Sequence, residues 1–218
     1  MTTIAAVYGG SAQHHRSLNE PKYRRWIDRL IYLPQLPEDP LDDIAALLIP
    51  ERLHVGILHR AVPGLLGLLD RGGTIVAFGE QPQPYLPGVR WEHRPTNFWW
   101  WREPGGRSGL VVRRPDYSLF RYVTERDVTW HFHGVVHPPA GATTVIACED
   151  GGAIFYEDTV STKGRLIVTT LDPMFHFGGY FMPATERFLD GFFPWLLAVL
   201  QDHPPSESVS STPKGGGG

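Results

Sequence analysis

The sequence predicts an α/β protein with an open, mostly parallel β-sheet, helices on both faces and an added β-hairpin region. Three observations carry this. Short apolar runs at residues 3–8, 44–49, 74–78 and 165–170 read as strands covered on both faces, because no polar alternation interrupts them. Segments of helical period lie between some of these runs, which favours right-handed crossovers and parallel pairing. Late in the chain, two β-rich segments flank Asp150-Gly151-Gly152, a sequence suited to a tight hairpin turn.

The first run ends at Gly9-Gly10, and residues 11–20 read as a polar loop. Pro21 opens a predicted helix to about Ile31, with Tyr23, Trp26, Ile27 and Leu30 at three- and four-residue spacing. Pro34, Pro37 and Pro40 then impose an extended connection, and the second run stops at Pro50. Residues 55–69 read as helical but split at Pro63-Gly64, with Arg71-Gly72-Gly73 as the stop before the third run.

The middle of the chain is of another kind. Residues 81–116 form a tryptophan-rich insertion, dense in Pro and Gly, with a brief strand near 89–92. Residues 128–136, 143–148 and 153–159 follow as β-rich segments. The last apolar run leads to a loop holding Gly178 and Gly179. Pro183 then opens a final helix to about Leu200, striped by Phe188, Phe192, Trp195 and Leu196. Residues 1–203 are read as a single domain and 204–218, rich in Ser, Pro and Gly, as a disordered tail.

Composition narrows the function classes. A net charge of -3 supplies no global field for nucleic acid or an anionic membrane, so neither is an expected partner. The apolar start turns to Gly-Gly too soon for a signal peptide or a membrane span. One cysteine, Cys148, excludes an internal disulfide and a cysteine-built zinc site. That suits a reducing, cytoplasmic compartment.

The order of four landmarks resembles the class I glutamine amidotransferase-like superfamily, nearest its trehalose-utilisation (ThuA-like) branch. They are Gly9-Gly10 followed by His14-His15; Asp43-Ile44 with Leu48-Ile49-Pro50; Leu69-Asp70-Arg71-Gly72-Gly73-Thr74-Ile75-Val76; and the segment Lys163-Gly164-Arg165 leading to Thr170-Leu171-Asp172. In the last, Asp172-Pro173 replaces that family's Gly-His pair and His176 follows. The resemblance implies a flavodoxin-like sheet and a link to sugar metabolism. It also implies a strained elbow bearing a cysteine nucleophile, because an activated thiolate must attack the amide. The corresponding segment here runs through the tryptophan-rich loop and holds no cysteine, while Cys148 reads as a buried structural residue. With respect to glutamine hydrolysis the chain therefore reads as a pseudoenzyme.

Candidate site residues follow from where ligands sit in open α/β sheets, at the C-terminal strand ends. Gly9, Gly10 and His14 follow the first run, Glu51, Arg52 and His54 the second, Glu80 the third, and Asp172 and His176 the last. Glu51, His54 and Asp172 are the candidates for acid–base catalysis. His131 and His133, read as same-face residues of one strand, are candidate metal ligands that need a third partner from His14, His54, Asp172 or His176. A divalent metal is the one cofactor so implied. Three consecutive tryptophans, Trp99, Trp100 and Trp101, cannot all face one core, so they cover a ring-bearing ligand or pack on another chain. The expected role is binding of a polar small molecule, carbohydrate among them, or of a partner protein, in a homo-oligomer. The alternative is a His/Asp/Glu-based, metal-dependent enzyme on a carbohydrate-like substrate.

Overall fold

The computed structural model describes residues 3–96 and 98–202; the tail read as disordered lies outside them. In chain order the first elements are β1 (Ile4–Tyr8), α1 (Ala12–Asn19), the single-turn α2 (Pro21–Arg24), β2 (Arg29–Tyr32), β3 (Ala46–Ile49), α3 (Val55–Asp70) and β4 (Thr74–Phe78). Then come β5 (Arg90–His93), β6 (Leu110–Val112), β7 (Gly134–His137), β8 (Thr143–Cys148), β9 (Ala153–Asp158), β10 (Arg165–Thr169), α4 (Pro173–Gly179) and α5 (Pro183–Asp202).

All ten strands join one sheet. The order β2-β1-β3-β4-β10 is parallel throughout, and β9 continues it in the antiparallel sense. Beyond β9 the sheet carries β7 and β5 along one path and β8 and β6 along another. The expected flavodoxin-like sheet with an added hairpin is thus observed, the hairpin being β8–β9.

Alternate residues of each central strand feed two cores, as the pleat requires. Ile4, Ala6, Leu48, Val76, Phe78 and Ile167 face α1 and α5 and meet Phe188, Phe192, Trp195 and Leu196. Ala5, Val7, Leu47, Ile49, Ile75 and Val168 face α3 and meet Leu58, Leu65, Leu68 and Leu69. Each large side chain among them contributes about 1.5–3 kcal/mol by leaving water, so these two layers fix the sheet and with it the positions of the strand ends.

Several local expectations need correction. Residues 12–19 are helical, because Ser11 caps α1 by accepting the His14 N–H and the turn buries His14, Ser17 and Leu18. The helix from Pro21 ends after one turn, since the edge strand β2 claims Arg29–Tyr32 by pairing with β1. Pro34 and Pro37 lie in a 3₁₀ helix, Leu33–Glu38, rather than an extended strap. Pro63 does not split α3: it is exposed, so the carbonyl it leaves unpaired lies on the solvent side. His131 and His133 precede β7 and are in no strand. Gly178 and Gly179 end a short helix, α4, instead of lying in a loop.

Candidate functional site

The C-terminal ends of β3, β4 and β10 converge. Gly79, just past β4, donates its N–H to the carbonyl of Leu171 past β10 at 3.0 Å. Its φ of +80° and the absence of a Cβ are both required, because a Cβ there would lie 2.2 Å from the Cβ of Glu51. A glycine is also needed at 178, where a Cβ would meet the Gln13 carbonyl oxygen at 2.1 Å, so α4 packs hard against α1. These two close approaches hold Glu51 and α4 side by side.

Asp172 is the residue before the Pro-opened α4, yet its side chain makes no cap hydrogen bond. Glu51 accepts the N–H of Phe175 instead, which satisfies the first turn and frees the Asp172 carboxylate to turn toward the histidines. Being four residues apart, Asp172 and His176 lie on one face of that turn, with His176 Nε2 2.9 Å from Asp172 Oδ2. His131 Nε2 lies 2.9 Å from His176 Nε2 and 3.8 Å from Asp172 Oδ1. His133 completes the group, its Nε2 3.9 Å from Asp172 Oδ2 and its Nδ1 3.5 Å from Glu80. Arg52, at φ +59°, brings a guanidinium nitrogen within 3.6 Å of Asp172 and stacks over Phe175 at 3.9 Å. Glu51, His131, Asp172 and His176 are all buried.

Burial, reinforced by the Asp172 charge, raises the Glu51 pKa to about 8, so this carboxyl is protonated at neutral pH. Burial also opposes ionisation of Asp172, but the His176 imidazole and those of His131 and His133 outweigh it and hold the carboxyl below its usual range. Burial lowers the His131 pKa to about 4, against the pull of Asp172. At neutral pH the group thus contains an acid (Glu51), a carboxylate (Asp172) and a neutral imidazole (His131), which is a set able to give and take protons.

Beside this group, and touching it through His131, lies a cavity of about 810 Å³ lined by Phe98, Trp99, Trp100, Trp101, Trp130, His131 and Phe181, with Arg126 and Arg187 at its wall. Phe98 and Phe181 stand 4.8 and 4.6 Å from the ring centres of His131 and His176 and shield the imidazoles. Trp99 and Trp101 are 60% and 63% exposed while Trp100 is half-buried, so the run presents ring faces to the cavity and to solvent.

Of the residues singled out in the sequence, the structure brings together Glu51, Arg52, Glu80, His131, His133, Asp172 and His176, with Trp99–Trp101 beside them. His131 and His133 share a site, but through loop backbone and ring centres 5.2 Å apart rather than as same-face strand residues. Gly9 and Gly10 are exposed at the end of β1, where the first packs on Leu53. His14 is buried in α1, its pKa lowered to about 4 by burial and by Arg52, and neither ring nitrogen has a hydrogen-bond partner among the described residues. His54 is exposed at the start of α3 and makes no hydrogen bond or ion pair with the cluster among the described residues. Cys148 sits in the core on β8, its thiol pushed up to about 12 by burial and Asp150. The sequence reading missed Phe98, Phe181 and Trp130 as cavity walls and did not see α4. The signal for α4 was present: Asp172-Pro173 is an N-cap followed by an N1 proline, which would have placed Asp172 and His176 on one turn.

Solved structures share this architecture. The N-terminal domain of IFT52 superposes with a TM-score of 0.55 at 14% identity, over 89% of this chain and 97% of that one. A GMP synthase component from Thermoplasma acidophilum does so with a TM-score of 0.55 at 12% identity, over 92% and 98%. A glutamine amidotransferase from Thermotoga maritima gives 0.50 at 10% identity, over 92% and 84%. No family model and no curated protein matches the sequence. The fold is therefore that of glutamine amidotransferase-like proteins. At these identities the likeness is one of fold, and it leaves activity to be argued from the site.

Proposed function

We propose that the chain binds a polar, ring-bearing small molecule of carbohydrate character in the aromatic cavity, and that the His/Asp/Glu group at its base acts on that molecule by acid–base chemistry. The observation that supports this is the convergence of Glu51, His131, Asp172 and His176, from three separate stretches of sequence, buried beneath a wall of indole and phenyl rings. Aromatic faces stack on the apolar faces of a sugar ring, while His131, on the cavity wall, meets its hydroxyls and connects them to His176 and Asp172 behind it. Glutamine hydrolysis is not proposed, because the single cysteine lies in the core of β8 with its thiol protonated. We read the chain as a member of the amidotransferase-like fold without that nucleophile, nearest the trehalose-utilisation branch. Its one thiol supports a cytoplasmic location. No helix among the described residues is long and apolar enough to cross a membrane.

The test is a panel of monosaccharides, disaccharides and sugar phosphates, followed by tryptophan fluorescence for binding and by proton NMR for turnover. A member that binds wild type should lose affinity in Trp99→Ala and Trp101→Ala. It should still bind His131→Gln without being turned over. Binding without any turnover reduces the reading to a binding protein, and no binding across the panel removes the carbohydrate class. A second reading has its own support. Phe98, Trp99, Trp101, Tyr180 and Phe181 are all exposed at or beside the cavity walls, a surface that a second copy or a partner protein would cover. Light scattering decides this: a dimer that Trp99→Asp splits would assign the tryptophans to an interface.

A further inference from the structure

We propose that His131, Asp172 and His176 form a binding site for one divalent first-row metal ion, zinc by preference, with an open coordination position toward the aromatic cavity. This names what the base of the proposed pocket holds, and so rests on the reading above for its role but not for its test.

The argument starts from donor and acceptor bookkeeping. The two Nε2 atoms of His131 and His176 face each other at 2.9 Å, so one must carry a hydrogen and the other present a lone pair. Asp172 Oδ2, 2.9 Å from the same nitrogen, competes with His131 for the one hydrogen that His176 Nε2 can carry, and when that hydrogen serves the His131 contact the buried oxygen has no hydrogen-bond partner among the described residues. His133 Nε2, 3.9 Å from that oxygen, is likewise buried and without a hydrogen-bond partner among the described residues. Three imidazoles thus crowd one buried carboxylate. A single cation among His131, Asp172 and His176 satisfies their lone pairs together, whereas the one proton on His176 Nε2 serves both neighbours only as a shared bond.

Geometry and chemistry agree with a cation. The ligand atoms of His131, Asp172 and His176 all lie within 4.8 Å of one another. Metal–nitrogen and metal–oxygen bonds of about 2.0–2.2 Å place tetrahedral ligand atoms roughly 3.4 Å apart. The two Nε2 atoms are 2.9 Å apart and His176 is 2.9 Å from Oδ2, while His131 is 3.8 Å from the carboxylate's other oxygen, Oδ1, so loading requires the imidazoles to part slightly and the carboxylate to turn. Two imidazoles and one carboxylate are the ligand set of catalytic zinc sites and of other first-row divalent ions, and are too rich in nitrogen for magnesium or calcium. Asp172 and His176 are fixed on one helical turn, and that turn is pinned by Glu51 through the Phe175 N–H, so two of the three ligands are pre-organised. His131 also lines the cavity, which leaves the fourth position directed at a bound molecule or a water.

The full chain, stripped with chelator and titrated with zinc chloride by calorimetry in the absence of any organic ligand, should bind one equivalent. Asp172→Asn and His176→Gln should each weaken binding by at least about tenfold, the range seen when metal-site residues are altered, whereas His93→Gln at the exposed end of β5 should not change it. Because substitution of a buried group can unfold the chain, circular dichroism accompanies each variant and a second measurement uses wild type alone. Cobalt(II) should give the visible absorption of a low-coordinate nitrogen/oxygen site, bleached by one equivalent of zinc. Failure of the folded wild type to bind either ion saturably overturns the proposal, as does undiminished affinity in folded Asp172→Asn. Zinc binding without sugar binding keeps the metal site and removes the carbohydrate reading; sugar binding to protein that takes no zinc does the reverse.

Discussion

From β3 to β4 the chain buries every strand residue and connects the two strands by one helix, whereas the described residues of 94–133 hold a single three-residue strand and several 3₁₀ turns. The first region places Glu51 and Glu80 by strand register and close glycine packing. The second delivers His131, His133 and the tryptophans by loop backbone, tied to α5 through contacts such as the Trp195 indole N–H to the Ser118 hydroxyl and Arg187 to Asp127. The contrast teaches how this site is divided. Strand ends supply carboxyls at fixed positions, and the irregular segment supplies imidazoles and aromatic cover whose positions depend on folding against α4 and α5. Catalytic and binding groups on loops held by a rigid scaffold are a common solution, because loops tolerate change that a core does not.

The comparison is tested most severely in the platform. Trp195→Ala removes a fully buried indole that packs on Phe155 and Phe192, and should cost about 3–5 kcal/mol, lowering Tm by roughly 10 °C in a thermal melt. Next is pH. Glu51 has its pKa raised from 4.5 to about 8 on folding, so its contribution is complete below pH 4.5 and is lost as pH rises through 8. His14 and His131, lowered from 6.5 to about 4, act oppositely, and their contributions are complete above 6.5 and lost as pH falls through 4. Each group has a slope of about 1.4 kcal/mol per pH unit within its window. Denaturation with chelator present should therefore show greatest stability near pH 6.5, and Glu51→Gln should flatten the alkaline side and steepen the rise between pH 4.5 and 6.5, where Glu51 opposes the histidines. A profile in Glu51→Gln that still falls between pH 6.5 and 8 would move the titrating group elsewhere.

Smaller effects sharpen the boundary between the regions. Cys148→Ala should cost about 1 kcal/mol and leave ligand binding unchanged, since the thiol is packed in the core and remote from the cavity chemistry. Trp99→Ala and Trp101→Ala should change stability by no more than about 0.5 kcal/mol, as exposed residues do. The same substitutions should weaken a cavity ligand about tenfold, as loss of an aromatic anchor does. A loss of stability as large as that of Trp195→Ala would place these indoles in the core instead.

Legibility in the sequence followed the same division. The runs that became β1, β3, β4 and β10, and the Asp-Gly-Gly turn between β8 and β9, could be read because a strand buried on both faces leaves an uninterrupted apolar run, and a hairpin turn needs residues tolerant of positive φ. Glu51, Glu80 and Asp172 could be nominated because strand ends are where such sheets bind ligands. The short pieces were not legible. Ser11 as a cap, the single turn at Pro21, the edge strand β2 and the seven-residue α4 carry little periodic signal, and tertiary pairing decides them.

By itself the sequence determined the layered α/β architecture, the strand ends as the place to nominate site residues, the exposure of part of the tryptophan run and the exclusion of an internal disulfide. These depend on local pattern and composition, which the linear order preserves. Only the tertiary structure decided which histidines meet Asp172. It joined His131 to His176 across 45 residues and His133 to Asp172, sent His14 into the α1 packing and left His54 in solvent. The reason is that an imidazole's partner is set by the docking of α4 and of the 94–133 segment on the sheet, and those contacts depend on packing between elements rather than on spacing within any of them.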